Sequence, residues 1–178
     1  MSYITTVTGK HFDPVNVVPE DIDLQDIFHA LSLLCRANGH VKYFFTVAQH
    51  SINCSLEAQA RGYSKRVQLA CLLHDAAEAY LSDITRPMKA GMKEYQKTEE
   101  NLLRHIWDKY LDGRLSEEEY AQVFDIDDDM LAYEFLKLMP EPISDRYRNI
   151  VSEPDVSLRN PEDVKREMFD RFCELGGR

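Results

Sequence analysis

Three things are scarce in this sequence, and each scarcity excludes something. The four cysteines, at 35, 54, 71 and 173, include no Cys-x-x-Cys pair, which argues against a disulfide framework or a thiolate zinc site. Cys35, Cys54 and Cys71 lie in apolar, helix-like stretches where a small thiol packs as core. No segment nears the roughly 18 apolar residues of a membrane helix. The opening MSYITTVTGKHFDP lacks the apolar centre of a signal peptide, so a cytoplasmic chain with no membrane partner is expected. Basic residues are also short: 21 Lys and Arg face 31 Asp and Glu, a net charge of −10. Cationic contacts to phosphate supply most affinity for nucleic-acid polymers, so no polymer partner is expected. A small anionic ligand would need a local reversal of sign, from a metal ion or a few placed basic residues.

What is present is helical period. At 178 residues the chain reads as one domain, 1–178, able to bury a core without staples. The first twenty residues are irregular, with room for a small hairpin. DLQDIFHALSLLCRANG then repeats apolar residues at helical spacing, with Asp23 as N-cap and Gly39 as stop. FFTVAQHSINCSLEAQARG continues as a second helix. Ser64 caps a third, KRVQLACLLHDAAEAYL, and SDITRPMK reads as a loop because Pro87 disfavours helix at Arg86. EYQKTEENLLRHIWDKYL is a fourth helix. Ser116 and Glu119 form a capping-box pattern opening a fifth, which Pro140 and Pro142 close. Asn160-Pro161 starts the last. The expected fold is an all-α bundle of about six to eight helices, with residues 24–140 as its motif-bearing region and 141–178 as a C-terminal helical extension.

The stretch ACLLHDAAEAYLSDI, residues 70–84, is the one that asks for a function. A buried segment continues into His74 and Asp75, with Glu78 and Asp83 behind. Buried ionisable groups need partners. His50, His74, Asp75 and one aspartate of 127–129 offer imidazole nitrogen and carboxylate oxygen, a donor set for one borderline divalent cation such as Mn, Co, Zn, Ni or Fe. Glu78 follows His74 by one turn and shares its face.

VAQHS, LLHDAAEAYLSDI and DIDDDMLAYE together resemble the H…HD…D signature of the HD-domain metal-dependent phosphohydrolases, an all-helical family. DIFHALSLLCRANGH, KYFFTVAQHS, SDITRPMK and LAYEFLKLMP are similar to blocks of a bacterial and phage branch related to 5′-deoxynucleotidases. The resemblance implies metal ligation by His50, His74, Asp75 and Asp127, the last chosen because the family spaces it seven residues before the glutamate that is here Glu134. Asp128 and Asp129 are then expected to be solvated or capping. It also implies proton-handling roles for Glu78 and Asp83 and a phosphate contact for Arg36; beside that arginine, His40 or Lys89 is a candidate for added positive charge. Related members follow that arginine with tryptophan; here Ala37 stands there. The implied activity is metal-dependent hydrolysis of the phosphomonoester of a (deoxy)nucleoside monophosphate. Two alternatives share the signature: an HD-type phosphodiesterase or alarmone hydrolase, and a non-catalytic, metal-stabilised module that senses a nucleotide or binds a protein. Related proteins often pair, and the apolar first helix permits a homodimer.

Overall fold

Apolar residues recurring every three to four positions make helices, and five of those described here start at a side chain that satisfies an exposed N–H group. The computed structural model describes residues 3–141 and 150–177. Its helices are α1 (Leu24–Leu33), α2 (Val47–Ala60), α3 (Lys65–Leu73), α4 (Glu78–Leu81), α5 (Arg86–Lys89), α6 (Lys93–Tyr110), α7 (Glu117–Leu138) and α8 (Pro161–Glu174). Among the described residues the one sheet is a hairpin of β1 (Ile4–Thr5) and β2 (His11–Phe12). The all-α expectation therefore holds. Asp23, Ser64, Ser116 and Asn160 cap their helices as the sequence suggested. Thr46 and Gln49 add a capping box that sets the start of α2 at Val47, three residues later than expected.

The central element is α2, which packs against α1, α3, α7 and α8. Phe28, Leu31, Ile52, Leu72, Leu73, Ile106, Ile126, Met130, Met168 and Phe172 join around it in one contiguous core. Because α2 is enclosed, its polar residues are buried too, and buried polar groups must find partners. Gln49, Asn53 and Glu57, spaced four apart on one face, grip the extended segment 151–157. Gln49 Nε2 donates to the Ser157 carbonyl at 3.0 Å, and Asn53 Nδ2 to that of Asp155 at 3.1 Å. The Glu57 carboxylate accepts from the Ser152 N–H at 2.8 Å. This strap leads into α8, whose Val164, Met168 and Phe172 enter the core. Pro142 lies outside the described residues.

Three further boundaries differ from expectation, each for a backbone reason. First, α1 stops at Leu33 rather than near Gly39. The next residues pair with the start of α2: Val47 N–H donates to the Leu34 carbonyl at 3.0 Å, and Arg36 N–H to that of Phe45 at 2.9 Å. Ala37 and Asn38 then turn through left-handed conformations, both at φ 52°, a cost of roughly 1 kcal/mol each for a residue with a Cβ. Second, the expected third helix tightens at His74. His74 Nδ1–H donates to the Cys71 carbonyl at 2.7 Å, and the following N–H groups bond three residues back, as Glu78 does to Asp75 at 3.0 Å. Third, residues 86–89 form the short α5 instead of a loop, because Pro87 sits in a first turn, where no N–H is needed.

Candidate metal centre

Three elements of this bundle each deliver a donor to one point. His50 comes from the middle of α2, His74 and Asp75 from the tightened turn after α3, and Asp127 from the middle of α7. His50 Nε2 lies 3.0 Å from Asp127 Oδ1 and 3.8 Å from Asp75 Oδ2. His74 Nε2 lies 3.3 Å from Asp75 Oδ2 and 3.6 Å from Asp127 Oδ1. Bonds of 2.0–2.2 Å to a tetrahedral or octahedral ion separate its ligands by roughly 3–3.6 Å, so this spacing suits one shared cation.

Orientation supports the same reading. Each histidine spends Nδ1 on an acceptor behind it, His50 on Glu134 Oε2 at 2.8 Å and His74 on the Cys71 carbonyl at 2.7 Å. Placing the proton on Nδ1 leaves the Nε2 lone pairs facing the shared space. His74 Nε2 is buried and makes no hydrogen bond of acceptable geometry, although both carboxylates are close. A buried nitrogen left in that state is explained by a cation.

Cys54 is close enough to be considered a ligand with the two histidines. Its sulfur lies 3.6 Å from His50 Nε2 and 3.9 Å from Nδ1, which puts it beside the ring and not beyond the Nε2 lone pair. Burial, then Asp127 and Glu134, push its thiol well above the usual cysteine range. That place beside the ring, away from the point on which Asp75 and Asp127 converge, makes the two imidazoles and two carboxylates the better set.

A family profile for the HD domain matches residues 39–137, which contain all four of these donors. The chain belongs to the HD-domain family. The uncharacterised protein YfdR of Escherichia coli K12 is 38% identical over 110 residues, covering 62% of this chain and 59% of that one. An uncharacterised protein of Rhodobacter capsulatus is 38% identical over 101 residues, covering 54% and 52%. The chain thus spans somewhat over half the length of these relatives. Members of the HD-domain family are in general metal-dependent hydrolases, and the donor set here fits that chemistry.

Around the HD quartet stand the other residues singled out in the sequence. Arg36 is buried, its Nη1 3.3 Å from Asp75 Oδ2 and 3.7 Å from Asp83 Oδ2. Burial opposes its charge, yet Asp75 and Asp83 hold the guanidinium firmly protonated. Glu78 is buried beside them. Burial first, then Asp75 and Asp83, push its carboxyl well above the ordinary range and favour its neutral form. Lys89 Nζ is 2.8 Å from Glu99 and 3.7 Å from Glu78. His40 is exposed beyond the left-handed turn and joins none of these contacts.

The expectation for Asp129 needs correcting, whereas Asp128 keeps a half-exposed side chain. Asp129 pairs with Arg61 Nη2 at 2.8 Å, and Asp128 takes one nitrogen of Arg86. The other Arg86 nitrogen reaches Asp127 Oδ2 at 2.8 Å. Arg86 is the site residue that sequence reasoning missed, because RPMK read as a loop without direction. Glu134 was the other: it served only to fix the register of Asp127, yet its buried carboxylate holds His50 on one oxygen and Asn53 on the other at 3.1 Å. Glu134→Gln is expected to weaken metal binding about ten- to hundredfold, measured by competition with a chromogenic chelator, because an amide cannot serve both donors as a carboxylate does.

Proposed function

We propose that this HD-domain protein is a metal-dependent phosphomonoesterase whose substrate is a nucleoside monophosphate, ribo or deoxy. The observation that carries the reading is one juxtaposition. A buried acid with an unpartnered oxygen, Glu78, and a buried guanidinium, Arg36, adjoin the four-donor cluster. Metal binding alone requires neither. His74, Asp75, Asp127 and Glu78 line a cleft of about 430 Å³ together with Arg86 and Lys89.

His50, His74, Asp75 and Asp127 would hold the cation. A divalent ion bound there supplies Lewis acidity and a water acidic enough to lose its proton near neutral pH. Arg36 offers a fixed positive charge to the phosphoryl oxygens, and its Nε, buried without a hydrogen-bond partner, is a donor still to be used. Asp83, 3.7 Å from Nη1, orients that guanidinium. Arg86 stands at the rim with its side chain half exposed and replaces His40 as the added cation facing an incoming anion. Glu78 Oε2 has no partner, which leaves the protonated carboxyl free to give its proton to the leaving ester oxygen. Lys89 lies nearer Glu99 than Glu78 and balances charge behind the acid.

The test is a panel of nucleoside mono-, di-, tri- and cyclic phosphates with protein loaded with Mn, Co, Zn, Ni or Fe, read by inorganic phosphate release. Monophosphates should release phosphate and cyclic nucleotides should not. Consumption of a cyclic or diester substrate without free phosphate would instead make the protein a diesterase. No turnover under any metal would leave a non-catalytic module. Glu78→Gln should lower kcat about 10²- to 10⁴-fold while metal content, measured by atomic emission, stays near wild type.

A further inference from the structure

We infer that a second cavity, adjoining the metal cleft, seats the nucleobase of the leaving group, with Tyr120 as its stacking platform. The inference rests on the phosphomonoesterase reading above and adds to it the residues that choose the substrate.

This cavity, about 530 Å³, is lined among others by Asn101, Leu103, Arg104, Trp107 and Tyr120. Glu100, Leu103 and Tyr120 also line the cleft that holds His74, Asp75 and Asp127. The two spaces therefore share a wall, formed where α6 meets the start of α7. A phosphate at the cation and a base in the second cavity would belong to one ligand lying across that wall.

Chemistry favours a heteroaromatic ring over an alkyl chain. Tyr120 is 50% exposed, yet Trp107 meets it edge-on at a centroid distance of 6.1 Å and Phe124 packs against it at 4.5 Å. A half-exposed aromatic ring held in place by two others is a ready stacking surface. Leu103 supplies an apolar neighbour. Around them Lys97, Glu100, Asn101 and Arg104 mix donors and acceptors, as the edges of a base do and a hydrocarbon does not. The indole N–H of Trp107 is buried without an acceptor among the described residues, a donor that the fold itself leaves idle.

Trp107 is the chain's single tryptophan, so its fluorescence reports on this cavity without any turnover. Free nucleosides, which carry no phosphate, should change Trp107 emission saturably in chelator-treated protein, whereas ribose 5-phosphate should not. Calorimetry should give matching affinities. Tyr120→Ala should weaken nucleoside binding about tenfold and reduce by a similar factor the kcat/KM preference for a nucleoside monophosphate over ribose 5-phosphate. Its thermal melt, compared with wild type, shows whether the fold survives, and Tyr120→Phe, which keeps the ring, should restore binding. If ribose 5-phosphate is hydrolysed but no nucleoside binds, or if Tyr120→Ala leaves the preference intact, the base site is wrong and the esterase stands. If nucleosides bind but no ester is cleaved, the esterase is wrong and the base site stands.

Discussion

Asp75→Asn should strip the protein of both metal and activity, with a loss exceeding the ten- to hundredfold expected from removing a supporting partner such as Glu134. Asp75 is the donor that joins both imidazoles to the Arg36 guanidinium. Its Oδ2 lies 3.3 Å from His74 Nε2, 3.8 Å from His50 Nε2 and 3.3 Å from Arg36 Nη1. Asparagine keeps the volume but removes the charge that would bind the cation. It also leaves the Arg36 guanidinium, buried in the protein, with Asp83 as its nearer remaining counter-charge at 3.7 Å. Breaking a buried ion pair from one side costs about 3–5 kcal/mol, and the surviving Asp83 contact puts the expected loss at the low end, about 3 kcal/mol. Metal content after dialysis, phosphate release and a urea melt would report the three effects separately. Retention of stoichiometric metal by Asp75→Asn would remove this residue from the ligand set. Loss of stability with metal and activity intact would make it a purely structural partner of Arg36.

Much of this could be read from the residues because the signals were local. Helix caps are decided by one side chain and the three residues after it, so Asp23, Ser64, Ser116 and Asn160 were legible. His74 and Asp75 stood out as ionisable residues inside an apolar run, but the resemblance to the HD-domain family completed the set, and that family's spacing to Glu134 selected Asp127; in the structure Asp127 approaches both imidazoles. What escaped depended on distant contacts. The early end of α1 is enforced by pairing with residues 45–47, which no periodicity within residues 24–39 reveals. Arg86 gains its meaning only once α5 is laid beside α7, 41 residues further on. Glu134 looked like one more acid on a helix until its 2.8 Å contact with His50 appeared across 84 residues. The strap on Gln49, Asn53 and Glu57 was invisible for the same reason, since each side chain grips a backbone about a hundred residues away.

Metal should raise thermal stability most at alkaline pH and least at acidic pH. Burial opposes charge on both histidines. For His74, Asp75 and Asp127 outweigh it and hold the pKa well above the ordinary imidazole value. For His50, Arg36 opposes as well, but Glu134 and Asp127 still leave the pKa raised. A group whose folded pKa exceeds its unfolded value of about 6.5 stabilises the protein fully below that pH, and the contribution fades as pH climbs through the folded pKa. Chelator-treated protein should therefore lose stability steadily as pH rises from about 6.5. A cation needs neutral imidazoles, so binding expels protons and tightens over the same range. At a concentration 100 times Kd the cation contributes about 2.7 kcal/mol, roughly 5–10 °C in a chain of this size, and this gap should narrow toward pH 6. Melts with and without chelator across pH 6 to 9 would measure it, and calorimetry in buffers of different ionisation enthalpy would count the protons released. A gap that stays constant with pH would mean that the imidazoles are not ligands.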